Sequence, residues 1–152
     1  MSAAFVIAAL GALVIVPWGT TASAPVTGSG SYTVTGAVVT AVREAGGNVF
    51  VTQTEYADAT GTATGTFAHD LVVTFHPDGS LTFRGTGTFT GTVNGVSGSF
   101  EDTIEGQGSV ATLELHGTIT ILRGSGGLAG LQGHATIEGI PATGGTYTVQ
   151  FT

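Results

Sequence analysis

Two ionisable residues stand in rows that are otherwise apolar. His69 shares its parity with Phe67, Leu71, Val73 and Phe75, and Asp102 falls between Phe100 and Ile104 on theirs. Alternate residues of a strand face the same side, so both groups are expected on the interior of a sheet. An imidazole and a carboxylate meeting there would form a general base and the group that orients it. A buried ionisable group without a partner is costly, so each must be paired, exposed at a rim or useful. The simpler arrangement places His69 at the open end of its strand and lets Asp102 accept a backbone N–H. Two residues do not make a triad, and parity slips at a bulge, so the simpler arrangement is preferred. Phe83 and Phe89 complete the ligand-binding candidates, since they would wall any space inside. Their row also carries Gly85, Gly87 and Gly91. Those glycines either leave a cavity between the two rings, or let the strand bend and neighbouring large side chains cover the gap. The second reading is preferred.

Other polar residues carry less. Glu114, His116 and Thr118 share one outward row, and Gln132, His134, Thr136 and Glu138 share another. There is no His-x-His and no ligand cluster of the usual spacing, so these read as a solvated face and no metal is expected. Glu55 and Tyr56 at a strand end, with Tyr32 and Tyr147 near the two ends of the chain, read as rim or cross-strand packing groups. Ser97 and Ser99 lack the strand–elbow–helix context of a nucleophile. The glycine-rich Gly124–Gly130 is followed by no lysine and opens no helix, so it is not a phosphate loop. No residue is assigned a catalytic role and no cofactor is expected. The chain has no cysteine, which removes disulfides, thiolate chemistry and sulfur-ligated metals. Its net charge is −7 and its cations are Arg43, Arg84 and Arg123 alone, so it lacks the basic footprint of a nucleic-acid partner.

The elements that must position these residues are strands. Leu81–Val93 alternates throughout, with Thr82, Arg84, Thr86, Thr88, Thr90 and Thr92 on the outward parity. The 26 glycines and the abundant threonines disfavour helix nearly everywhere. Strands are expected over Ser31–Arg43, Asn48–Tyr56, Thr62–His76, Leu81–Val93, Ser97–Gly106, Val110–Leu122, Leu131–Gly139 and Thr146–Phe151. Turn signals lie between them at Ala45–Asn48, Pro77–Gly79, Asn94-Gly95 and Thr143–Gly145, of which Asn94-Gly95 favours a type I′ hairpin. Eight strands with short links make an all-β domain, either a sandwich or a closed antiparallel barrel.

Residues 25–152 suffice for one such domain, with Pro25–Gly30 as a short flexible lead. Residues 1–24 read as a signal peptide: Ala3–Val16 is apolar, Pro17 breaks it, and Ala22-Ser23-Ala24 is an A-x-A site. Export with cleavage after Ala24 is expected, the alternative being a membrane tether through an uncleaved segment. No Lys or Arg precedes the apolar run, and Pro25 follows the site.

The segments PDGS (Pro77–Ser80), FRGTGTFTGTVNGVSGSF (Phe83–Phe100), EG (Glu105-Gly106), GSGGLAGLQG (Gly124–Gly133) and GGTYTVQF (Gly144–Phe151) together resemble the DUF3224 family. The resemblance spans about Phe67–Phe151 and implies an allene oxide cyclase-like, eight-stranded antiparallel β-barrel. It implies no established activity. The chain departs from the family pattern after SGSF, where Ile104-Glu105-Gly106 stands in place of His-Glu-Gly.

The expected protein is therefore an exported barrel whose lumen binds a small apolar molecule. One alternative is a cyclase or isomerase that constrains a small hydrophobic substrate there. Another is a structural module that self-associates into a homo-oligomer.

Overall fold

The computed structural model describes residues 25–152, and the expected signal segment lies outside the described residues. Eight strands follow one another: β1 (Val26–Ala45), β2 (Asn48–Gly61), β3 (Ala63–Phe75), β4 (Ser80–Val93), β5 (Val96–Ser109), β6 (Glu114–Gly126), β7 (Gly133–Ile140) and β8 (Gly144–Phe151). Each pairs antiparallel with the next, and β8 pairs with β1 from Val26↔Phe151 to Thr33↔Gly144, closing the ring. Closure leaves no alternative of two stacked sheets. In an eight-stranded ring the interior is filled by side chains or holds one small ligand.

Hairpin turns form where the glycines permit them. Asn94 (φ 49°) and Gly95 (φ 80°) both take the left-handed conformation that a type I′ turn requires, as do Gly46 and Gly47 between β1 and β2. The last turn differs from expectation. Gly144 and Gly145 belong to β8, and the reversal is made by Pro141–Thr143 with Ala142 at φ 56°. Several strand ends also differ. Val26–Gly30 is not a free lead but the part of β1 that pairs with β8, and β6 starts at Glu114 because Val110–Leu113 forms the preceding turn.

The interior is built in levels, because β2 to β5 pair without a shift of register. One level runs Ala57↔Phe67↔Phe89↔Phe100 across β2 to β5, and Phe83 of β4 lies opposite Gly106 of β5 on another. Large and small residues interlock. The Phe83 ring covers Gly106 and Gly117, and the Leu71 Cδ2 lies 3.0 Å from where a Cβ of Gly85 would stand. The gaps left by glycine are thus filled by neighbours, the reading preferred from the sequence. Phe67, Phe89 and Phe100 pack with ring centroids 4.9, 6.0 and 4.7 Å apart, a geometry worth about 0.5–1.5 kcal/mol per pair beyond burial.

One hydroxyl ties β8 to the turn between β2 and β3. Tyr147 Oη accepts the Ala63 N–H at 2.9 Å and donates to the Thr60 carbonyl at 2.9 Å, where the chain turns from β2 into β3. Burial pushes the Tyr147 phenol up, against the Ala63 bond that lowers it.

Candidate functional site

One level of the ring carries the ionisable groups. Glu55, His69, Gly87 and Asp102 are successive partners across β2, β3, β4 and β5. Two strand spacings, about 9–10 Å, separate β3 from β5. The intervening residue decides whether their side chains can meet. At Gly87 there is no side chain, and the His69 ring lies over it; a Cβ there would overlap the ring. His69 Nε2 thereby reaches Asp102 Oδ1 at 2.9 Å. The arrangement preferred from the sequence is corrected by this contact. His69 is in mid-strand and 5 % exposed, and Asp102 at 1 % exposed binds the imidazole.

The pair has little solvent. Asp102 Oδ2 is buried with no hydrogen-bond partner. A carboxylate oxygen accepts, so with a neutral ring the proton sits on Nε2 and Nδ1 keeps its lone pair. The His69 ring is also held by Phe67, whose plane lies 14° from its own at 5.2 Å.

A cavity of about 320 Å³ occupies the ring. Its wall is mostly aliphatic and aromatic, with Leu71, Phe83, Ile104, Ile119, Ile137 and Val149 among its members. It reaches toward the end of the ring where Val110 and Pro141-Ala142 form turns, while Phe67 and Phe100 lie at its other extent. His69 and Phe83 line it. Asp102 does not, since it stands behind the imidazole, and Phe89, fully buried between Phe67 and Phe100, does not either. Those two residues act on the cavity only through the neighbours that they hold.

The polar part of the wall is larger than His69. Gln53, Glu55 and Tyr32 join it, with Gln53 Nε2 donating to Glu55 Oε2 at 3.5 Å. Burial pushes the Glu55 carboxyl up, and the charge of His69 acts in the opposite sense. Burial and the nearby Glu55 charge push the Tyr32 phenol up to about 12, and its hydroxyl is buried without a partner. The result is a polar strip of Gln53, Glu55 and His69 on an apolar wall, with the unpartnered Tyr32 hydroxyl apart from it over Gly139 of β7.

Residues 28–152 match the family described as a protein of unknown function, DUF3224. The chain belongs to the DUF3224 family. A solved DUF3224 structure from Shewanella oneidensis MR-1, a protein of unknown function, is similar to it at 17 % identity and a TM-score of 0.64. That likeness covers 85 % of this chain and 98 % of the other, and it shows a shared fold. No curated protein matches the chain.

Within this DUF3224 ring, Glu55 and Tyr32, read from the sequence as rim or packing groups, and Gln53, which it did not single out, line the cavity. Gln53 and Glu55 share parity with Ala57 and Ala59, both buried, so the signal that marked His69 also marked them. Glu55 read as terminal because β2 was expected to stop at Tyr56, whereas it continues to Gly61. The outward candidates stay outside. His116 Nδ1 stands 3.8 Å from Glu138 Oε1 with both side chains largely exposed, and His134 lies opposite Thr120 and Gln150 rather than beside His116. Ser99 bonds only Ser125 across the strand, with the hydroxyls 2.7 Å apart.

Proposed function

We propose that this DUF3224 protein binds, in its lumen, a small and largely apolar molecule that carries one polar group. The observation that supports the reading is the cavity itself: about 320 Å³ of space, apolar nearly all round, with Gln53, Glu55 and His69 gathered on β2 and β3 and Tyr32 lining it over Gly139 of β7. Pockets for small molecules begin at about 300 Å³ and combine this kind of wall with a few placed polar groups. The apolar wall would supply affinity and the strip would set orientation. The allene oxide cyclase-like class suggested by the sequence fits such a use, but a shared fold carries no chemistry with it.

The test is native mass spectrometry of the protein purified from its own host, beside the variant Ile137→Trp, whose indole would occupy the cavity. A small organic molecule retained by the wild type and absent from the variant is expected. Two folded proteins with identical masses, and no gain in unfolding temperature with apolar ketones or alcohols, would overturn the reading.

A further inference from the structure

We propose that the polar strip is a proton-transfer site for ketones bearing an acidic α-hydrogen, with His69 as the base and Glu55 facing the carbonyl oxygen. This rests on the lumen being a binding site. The geometry behind it is the register. Glu55 and His69 are direct cross-strand partners and both line the cavity, so their functional groups flank one small volume. Side chains so paired have Cβ atoms about 5 Å apart, a separation that an α-carbon and its carbonyl oxygen can bridge.

Each group is prepared for its part. Asp102 holds Nε2, which fixes the ring's orientation and leaves Nδ1 as the nitrogen for the cavity. The stack with Phe67 and the side-chain-free Gly87 hold the ring flat between strands. Burial favours the protonated form of Glu55, which can then donate to an oxygen that becomes negative. A dry, apolar wall strengthens both interactions.

In the step, the lone pair on Nδ1 takes the α-proton as the C–H bond breaks. That bond's electrons form the enol double bond, and the carbonyl π pair moves onto oxygen, which Glu55 hydrogen-bonds or protonates. Reversal returns a proton to carbon, so atoms and electrons balance with no oxidant or cofactor. In D2O the returned particle is a deuteron. The titratable groups that line the cavity are Tyr32 of β1, Glu55 of β2, His69 of β3 and Tyr147 of β8, and Asp102 of β5 stands behind His69.

The experiment follows exchange of the α-hydrogens of 2-decalone in D2O by proton NMR, with binding read separately by saturation transfer. The full chain should exchange the probe faster than free imidazole at equal concentration. His69→Gln should lose about 100-fold while still binding, in line with removal of a general base. Glu55→Leu should lose a similar factor, as for an oxyanion donor. Asp102 is a positioning residue, so Asp102→Leu should lose most of the exchange while saturation transfer persists, and Asp102→Asn, whose Oδ1 can still accept from Nε2–H, should restore it, a rescue that a merely structural role would not give. The variant His69→Phe/Asp102→Val removes the pair while keeping its volume, and should bind without exchanging. Binding with no exchange above imidazole, or wild-type exchange by any folded variant lacking His69, overturns the inference and leaves the binding reading intact. Absence of saturation transfer with the wild type overturns the inference and counts against the binding reading as well.

Discussion

Replacing His69 by Phe should destabilise the protein more than replacing both His69 and Asp102. The two side chains are 6 % and 0 % exposed, so neither can recover water if its partner is lost. With Phe at position 69 the ring volume and the stack on Phe67 persist, but Asp102 keeps a buried carboxyl with both oxygens unpaired. Breaking a buried pair in that way costs about 3–5 kcal/mol. Asp102→Val leaves the milder orphan, one imidazole N–H, at about 1–3 kcal/mol. In His69→Phe/Asp102→Val no polar atom is stranded, and replacement of both partners by apolar groups is nearly neutral. The double variant should therefore lie within about 1 kcal/mol of wild type, and the coupling should be at least about 3 kcal/mol, at or above the upper end for touching residues. Urea denaturation of all four proteins at constant m-value measures each figure. The reasoning is refuted if His69→Phe alone costs under about 1 kcal/mol, since a stranded buried carboxyl cannot be that cheap. It is equally refuted if the double variant is as unstable as the two single costs added. The expected outcome would mean that the pair adds little to stability, which strengthens the case that it serves the cavity.

Two further outcomes follow from named contacts. Burial raises the folded-state pKa of Glu55 above its ordinary 4.5, so its protonated form is favoured in the folded protein. That stability is complete at pH below the ordinary value and is lost as pH rises through the folded one. The difference in urea midpoint between wild type and Glu55→Gln should accordingly open in favour of the variant as pH rises from about 4 through the raised value; a constant difference would contradict it. Tyr147→Phe should cost about 1–3 kcal/mol, because the Ala63 N–H loses its acceptor in a buried seam. Faster hydrogen exchange at Ala63 than at Phe83 would report the same loss site by site.

Parity made most of the fold readable. Leu81–Val93 shows its inward and outward rows directly, and all eight strands are present in the expected order, with several of their ends elsewhere. What alternation cannot supply is a partner distant in sequence. Val26–Gly30 is rich in Gly and Ser and lacks strand character of its own; its pairing with Val149, Thr148 and the rest of β8 makes it a strand. The candidate site was readable to the same depth. Both His69 and Asp102 announce themselves as polar residues in apolar rows. Whether they meet depends on β4, which lies between them, and on its glycine falling at one register position. Nothing local to either residue encodes that. Glu55 carried the same parity signal and was lost to a strand boundary five residues short.

The seam between first and last strands has a consequence for how the molecule is made. Val26 rests on Phe151, so the opening residues of the domain must wait for almost the last ones before their backbone groups are satisfied. A chain emerging from a ribosome or crossing a membrane can assemble its six inner hairpins in order, yet it leaves the Val26–Thr33 edge of β1 unpaired until the end arrives. Closing so wide a loop is entropically slow, and such an edge invites pairing with other chains. Removal of β8 would fix the protein in that vulnerable state, and the cost would appear as aggregation during synthesis before it appeared as lost binding.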